Sequence, residues 1–339
     1  MHPLNPAETL SQQLLSIAIK SNATDIHFYP FKANTKVYLR VNGTRILYKS
    51  LTMSQYKLLL TYYKFTSGMD IGEIRKPQNG IITHFHKSKT VSLRLSTLPV
   101  NHYESLAIRL LPQDDTLSLE HLFLFQQQFQ KVKQWMKNKA GLILFSGPTG
   151  SGKTTTLYAL LQSVLEEESY QTITLEDPIE KNIHDILQVQ VNEKAGITYQ
   201  SGLKAALRHD PDIIMVGEIR DQQTARFALE ASLTGHLVLS TIHAKDTEGT
   251  IQRLLEMGLT PTNLQQSLIG ISSIQLLPLS TYSRKEQRAA ILEILENKLL
   301  EDVISGKERA LKNSIYSFQH LRKKAFLYGF ISKDTFEDK

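Results

Sequence analysis

Residues Gly147, Pro148, Thr149, Gly150, Ser151, Gly152, Lys153 and Thr154 satisfy the pattern G-x-x-x-x-G-K-S/T at every fixed position. Each residue type has a chemical reason to be there. Glycines let backbone N–H groups close around phosphate oxygens without a Cβ in the way. A helix beginning at the lysine aims its positive end at the same anion. Lys153 is placed to reach the β- and γ-phosphates, the Thr154 hydroxyl to ligate Mg²⁺, and Thr155 to complete the nucleotide-binding loop. ATP and Mg²⁺ are the ligands this loop calls for.

Hydrolysis needs more than a cradle: a carboxylate near the γ-phosphate must orient or deprotonate the attacking water. Short apolar runs at Leu142–Phe145, Thr172–Leu175, Ile213–Val216 and Leu237–Ile242 read as buried parallel strands. In open α/β sheets, ligands bind beyond the carboxyl ends of the strands. Just past those ends stand the P-loop, Glu176 with Asp177, Glu218, and His243. Glu218 is assigned as general base and Glu176 as the carboxylate that positions Mg²⁺ or water. His243 is placed to sense the γ-phosphate. His236 precedes its strand and belongs at the opposite end.

The elements that position these groups organise the 339 residues into an α/β protein of two domains. Residues 1–111 form a small α/β domain with no obvious catalytic cluster of its own. Its first helix has Asn5 as N-cap, Pro6 at the first helical position, Glu8 three residues after the cap, and Leu10, Leu14, Ile17 and Ala18 on one face. Strands are expected at Asp25–Tyr29, Lys36–Val41, Gly80–Thr83 and Thr90–Ser96. A turn is expected at Asn42-Gly43 and a helix at Met53–Thr66. Residues 112–125 read as a linker, with Leu110–Ser118 as hinge. Residues 126–339 carry the parallel sheet and become mostly helical from about Ile251.

Composition excludes several classes. The chain has no cysteine, hence no disulfide framework, thiol nucleophile or cysteine-ligated zinc site, and no zinc site is expected. Hydrophobic residues at 41% against 21% charged residues mark a globular rather than disordered chain. No stretch approaches the roughly 20 apolar residues of a membrane span, and Met1–Lys20 lacks a signal-peptide layout. A soluble, cytoplasmic protein is the expectation. The formal net charge of +6 arises from 39 basic and 33 acidic residues, a mixed surface that permits an anionic partner without requiring one.

These motifs resemble those of the secretion and pilus-assembly ATPases of type II secretion and type IV pilus systems. Ala23-Thr24-Asp25-Ile26-His27 resembles the family's "SDIH" signature. Pro77–Gly80, and the stretch from Arg94 through Leu98-Pro99 to Arg109–Leu111, resemble its linker-proximal strands. Glu176–Glu180 resembles its Asp box, Arg208–Asp212 with Gly217–Asp221 its Walker B region, and Thr234–His236 with Ser240–His243 its His box. The resemblance spans most of the chain. It implies a PAS-like first domain, a RecA-like second domain, a homo-oligomer of hexameric form, and arginines of the first domain completing a nucleotide site, which matches Arg94 and Arg109. It further implies a polytopic platform protein of the inner membrane as partner and a peripheral location on that membrane. Many family members carry a tetracysteine zinc motif and an extra N-terminal docking domain. This chain has no cysteine, and its "SDIH"-like segment starts near residue 23. In both respects it is similar to the competence pseudopilus ATPases of Gram-positive bacteria, with pilus retraction and type II secretion ATPases as alternatives.

Other classes fit less well. A RecA-like DNA translocase would interleave basic and aromatic residues near its core strands. The sequence shows no dense interleaving there, and no direct nucleic-acid binding is expected. A small-molecule kinase needs an arginine-rich lid, for which Lys245–Thr250 is too short. A nucleotide-binding scaffold without turnover requires Glu218 to lie away from the phosphate site.

Overall fold

Strict alternation builds the first sheet: β2 (Asn34–Val41) buries Thr35, Val37 and Leu39, while Lys36, Tyr38 and Arg40 between them stay partly exposed. The computed structural model describes residues 5–41, 43–86, 89–101, 103–113, 122–280, 288–307 and 314–337. The chain divides into two compact units, Met1–Thr116 and Leu117–Lys339. Most of the sequence-assigned linker and hinge, and Asn42 of the expected turn, lie outside the described residues.

The first unit is a six-stranded sheet in the order β3-β2-β1-β6-β5-β4, with β1 (Ala23–Pro30), β3 (Thr44–Thr52), β4 (Gln78–His86), β5 (Lys89–Val100) and β6 (Tyr103–Pro112). Every pairing in it is antiparallel. One face is covered by α1 (Pro6–Lys20) and α2 (Met53–Thr66), whose Leu14, Leu15, Leu59 and Tyr63 share a core with Ile26, Phe28, Leu93 and Ile108. Asn5 caps α1 by accepting from Ala7 N at 3.0 Å, with Pro6 in the first turn. A capping box between Thr52 and Gln55 starts α2. Lys64 is buried in this core, yet its ammonium is satisfied by Glu104 at 2.6 Å and the Glu73 carbonyl at 2.7 Å. Breaking such a buried pair costs about 3–5 kcal/mol because the remaining charge is stranded.

The second unit holds a seven-stranded sheet in the order β13-β12-β7-β11-β10-β8-β9. Its strands are β7 (Gly141–Ser146), β8 (Thr172–Glu176), β9 (Ile186–Gln190), β10 (Ile213–Ile219), β11 (Leu237–Ile242), β12 (Leu268–Pro278) and β13 (Arg288–Glu296). The run from β12 through β9 is parallel, and β13 closes the far edge antiparallel. Every residue of β7, β8 and β11 is buried, as expected of strands covered on both faces. The helices are α3 (Gln126–Trp135), α4 (Lys153–Leu165), α5 (Tyr199–Ala206), α6 (Gln222–Leu233), α7 (Thr247–Glu256), α8 (Pro261–Ser267), α9 (Asn297–Ile304), α10 (Phe318–Leu327) and α11 (Lys333–Glu337).

One expectation needs correction. The region after Ile251 is not mostly helical, because β12 and β13 occupy twenty of its residues, 11 and 9 respectively. Arg-Ala-Ala-Ile-Leu-Glu-Ile-Leu-Glu is good helix-forming composition, but pairing with β12 overrides that weak local preference. Its central Glu293 is buried. It accepts from Thr247 N and Oγ1, both at 3.0 Å, and from Phe318 N at 3.1 Å, holding the starts of α7 and α10.

Candidate nucleotide site

The P-loop joins β7 to α4 through a backbone that only glycine adopts easily. Gly147, Gly150 and Gly152 have φ of 149°, 80° and 92°. A Cβ on Gly147 would stand 2.4 Å from Ser151 Oγ and 2.7 Å from the Ile274 carbonyl, so no larger residue fits there. Pro148, Thr149 and Gly150 are exposed, Thr154 is half-buried and Thr155 is exposed. Lys153 is 8% exposed, and its ammonium donates to the carbonyls of Gly147 at 2.8 Å and Pro148 at 3.0 Å. Burial pulls its pKa below the ordinary lysine value, opposed by the charges of Glu218 and Glu180.

The carboxyl ends of β7, β11, β10 and β8 stand side by side in that order, and each delivers a polar group. His243 follows β11. Its Nδ1 lies 3.4 Å from Lys153 Nζ, and its Nε2 lies 3.0 Å from Glu218 Oε1. An ammonium can only donate, so Nδ1 is the acceptor and Nε2 carries the proton shared with Glu218. Glu218 sits in β10 where the register against β11 shifts between Val216 and Ile219. Ser240 and Thr241 hydroxyls donate to the Val216 and Gly217 carbonyls at 2.6 and 2.8 Å, fixing this irregular stretch. Lys153, His243 and Glu218 thus form one connected set. Glu176 ends β8, 3% exposed, and accepts from Thr174 Oγ1 at 2.6 Å, Gln188 Nε2 at 3.1 Å and the Tyr158 hydroxyl.

Sequence reading missed three contributors. Arg220 bridges Glu218 Oε2 at 3.0 Å and Asp177 Oδ2 at 3.4 Å, and its hydrogen bond to Glu218 raises its pKa further. It stood inside the Walker B-like motif, two residues after Glu218, without an assigned role. Tyr158 and Gln188 gave no signal at all: Tyr158 stands among the apolar residues of the helix after the P-loop, and no strand is expected around Gln188. His236 lies where expected: its carbonyl accepts from Gly141 N at the start of β7, the far end of the sheet.

Arg94 and Arg109 belong to the first unit and are described within it. They are direct cross-strand partners on β5 and β6, and Arg109 is paired in turn with Asp25 on β1. Arg109 Nε donates to Asp25 Oδ1 at 2.9 Å while 62% of its side chain stays exposed. Burial alone would raise the Asp25 carboxyl. Hydrogen bonds from Thr24 and Arg109, with the charge of Arg109, outweigh it and hold the pKa below the usual value.

The donor set fits a nucleotide with its divalent ion. The cradle excludes a Cβ at Gly147, and the buried Ser151 Oγ within it has no hydrogen-bond partner among the described residues. A hydroxyl at Thr154 and a carboxylate at Glu176 are hard oxygen ligands suited to Mg²⁺. When bound, that ion would neutralise phosphate charge. The chain's own groups face the same place: the P-loop backbone and Lys153 offer donors suited to phosphate, Glu218 offers a carboxylate that could hold a water, and His243 touches both side chains. Because Glu218 connects through His243 to the P-loop lysine, it does not lie away from the loop as a scaffold without turnover would require. Among the described residues, no helix is long and apolar enough to cross a membrane, and no group of three or more His, Cys, Asp or Glu residues could hold a metal on its own.

Comparison with known proteins agrees. Residues 2–320 match the family described as type II/IV secretion system protein. Competence protein ComGA of Bacillus subtilis (strain 168) is 40% identical over 350 aligned positions, covering 98% of each chain. Type II secretion system protein E of Pseudomonas aeruginosa is 41% identical over 80% of this chain, which spans 54% of that protein. The crystal structure of the pilus retraction motor PilT with bound ADP superposes with a TM-score of 0.76 at 26% identity, covering 96% of this chain and 95% of that one. With a RecA-like sheet, a complete P-loop and carboxylates gathered on the same rim, the chain belongs to the type II/IV secretion ATPases and hydrolyses ATP.

Proposed function

We propose that this ATPase is the motor of a competence pseudopilus, assembling a type IV pilus-like filament for DNA uptake. The observation that carries the reading is the end-to-end match to a competence protein over 98% of both chains, whereas the secretion relative is matched over 54% of its length. A motor of this kind works as a hexameric ring. It lies peripherally on the inner face of the cell membrane, where it pushes on a polytopic platform protein, with Mg²⁺ bound at Thr154 and Glu176 as cofactor. Deleting the gene in its native host is expected to abolish both extracellular filaments and DNA uptake, restored by the wild-type gene but not by one encoding Glu218→Gln. The backbone likeness to PilT supports a retraction motor as second reading. The direction of the filament change separates them: filaments that persist or accumulate after deletion overturn the assembly reading.

Arg94 and Arg109 supply positive charge to the nucleotide in the assembled ring. This reading is supported by their adjacency in register and the exposure of Arg109. Each alanine variant is expected to bind nucleotide and form rings normally while losing turnover on the order of 10³-fold, as for other arginine fingers. ATPase assays beside fluorescent-nucleotide binding check it. Wild-type turnover by Arg109→Ala, or full activity of dilute wild-type monomer, sinks it.

A further inference from the structure

We propose that Tyr158 is a positioning residue for ATP hydrolysis, its hydroxyl holding the Glu176 carboxylate from the helix that begins at the phosphate-binding lysine. The proposal rests on the reading of Glu176 as the carboxylate that positions Mg²⁺ or water.

Tyr158 lies five residues beyond Lys153 on α4, within one and a half turns of the phosphate-binding end. Its ring belongs to the core formed with Phe145, Leu161 and Met215, so the side chain is anchored. Its hydroxyl reaches out of that core to Glu176 Oε2 and also accepts from Glu180 N at 3.3 Å. A carboxylate can only accept, so the phenol is the donor in this pair.

Glu176 has little other freedom. Thr174 and Gln188 both donate to Oε1. Gln188 is itself locked, donating to the Lys181 carbonyl at 2.9 Å and accepting from Ile183 N at 2.9 Å. A carboxylate offers about four lone-pair sites, so these three donors leave about one, on Oε2, for the reaction. Of the three donors, only Tyr158 comes from α4; Thr174 and Gln188 come from strands β8 and β9. Among the described residues, the Tyr158 hydroxyl is therefore the direct hydrogen bond from α4, which leaves β7, to the carboxylate ending β8, with β11 and β10 lying between those two strands.

Tyr158→Phe removes the hydroxyl and keeps the ring in the core, which separates positioning from packing. The test is a double-mutant cycle of Tyr158→Phe, Glu176→Gln and the double variant in the full chain. It reads kcat, KM, fluorescent-nucleotide affinity and melting temperature. The expected result for Tyr158→Phe is a fall in kcat of about 10–100-fold, the scale of a misplaced catalytic group, with nucleotide affinity and melting temperature close to wild type. The double variant should be no slower than Glu176→Gln alone. Near-wild-type kcat for Tyr158→Phe beside a slow Glu176→Gln overturns the proposal and leaves the Glu176 reading intact, and so does a double variant whose two losses multiply. Wild-type kcat for Glu176→Gln overturns both. A slow Tyr158→Phe whose melting temperature also collapses is a packing effect and counts against the proposal.

Discussion

Glu218→Gln is expected to bind Mg·ATP with near-native affinity and to hydrolyse it roughly 10²–10⁴-fold more slowly, the usual contribution of a general base. Glutamine keeps the length of the side chain but cannot take a proton. Its carbonyl can still accept from Arg220 Nε, now 3.0 Å from Oε2, so the β10 bulge retains a tether. The contact with His243 Nε2, 3.0 Å from Oε1, becomes amide against ring N–H and weakens. The loss should therefore fall on kcat and spare binding, since no atom of Glu218 belongs to the P-loop cradle. Single-turnover hydrolysis alongside equilibrium nucleotide binding separates the two. A larger kcat loss in Glu176→Gln would reverse the roles given to the two carboxylates.

Lys153→Ala is expected to remove ATP turnover to background and to weaken nucleotide binding, with the fold retained. The lysine is more enclosed than a residue on an open cleft, and it makes two hydrogen bonds to loop carbonyls. Losing them should lower stability modestly. At about 2–4 °C per kcal/mol for a unit of this size, a drop of several degrees in melting temperature is the expected scale. The carbonyls left behind border exposed residues Pro148–Gly150, where water can replace the ammonium. Circular dichroism melting and ATPase assays check both halves. Normal turnover by the folded variant would remove the P-loop from the mechanism.

What sequence reading recovers here follows the physics of each segment. Strands buried on both faces, such as Leu237–Ile242, stand out as apolar runs, and that strand is found with the same bounds. The helix expected at Met53–Thr66 matches its range, and a capping box of Thr52 and Gln55 starts it. The chemistry past the strand ends was legible because parallel topology forces those ends to one rim. Other features depend on partners far away in the chain. β12 hides Ser272 and Ser273 in the interior, so its polarity misleads. β9 is half-exposed and short, with Gln188 spent on Glu176. Tyr158 gives no local sign that its hydroxyl meets a residue 18 positions on, and no periodicity encodes that contact.

The buried carboxylate of Glu293 has a consequence for how this sequence can drift. Three donors from two helix starts converge on it, at Thr247 and Phe318, while its own strand is clamped against β12. Aspartate is too short to span both helices, and glutamine would aim an N–H₂ at a backbone N–H. Variation at 293 is therefore not independent of variation some 46 residues earlier and 25 later. Homologues that lose the acid are expected to have changed the entry to α7 or α10 as well, so these three separated stretches should vary together as a single inherited unit.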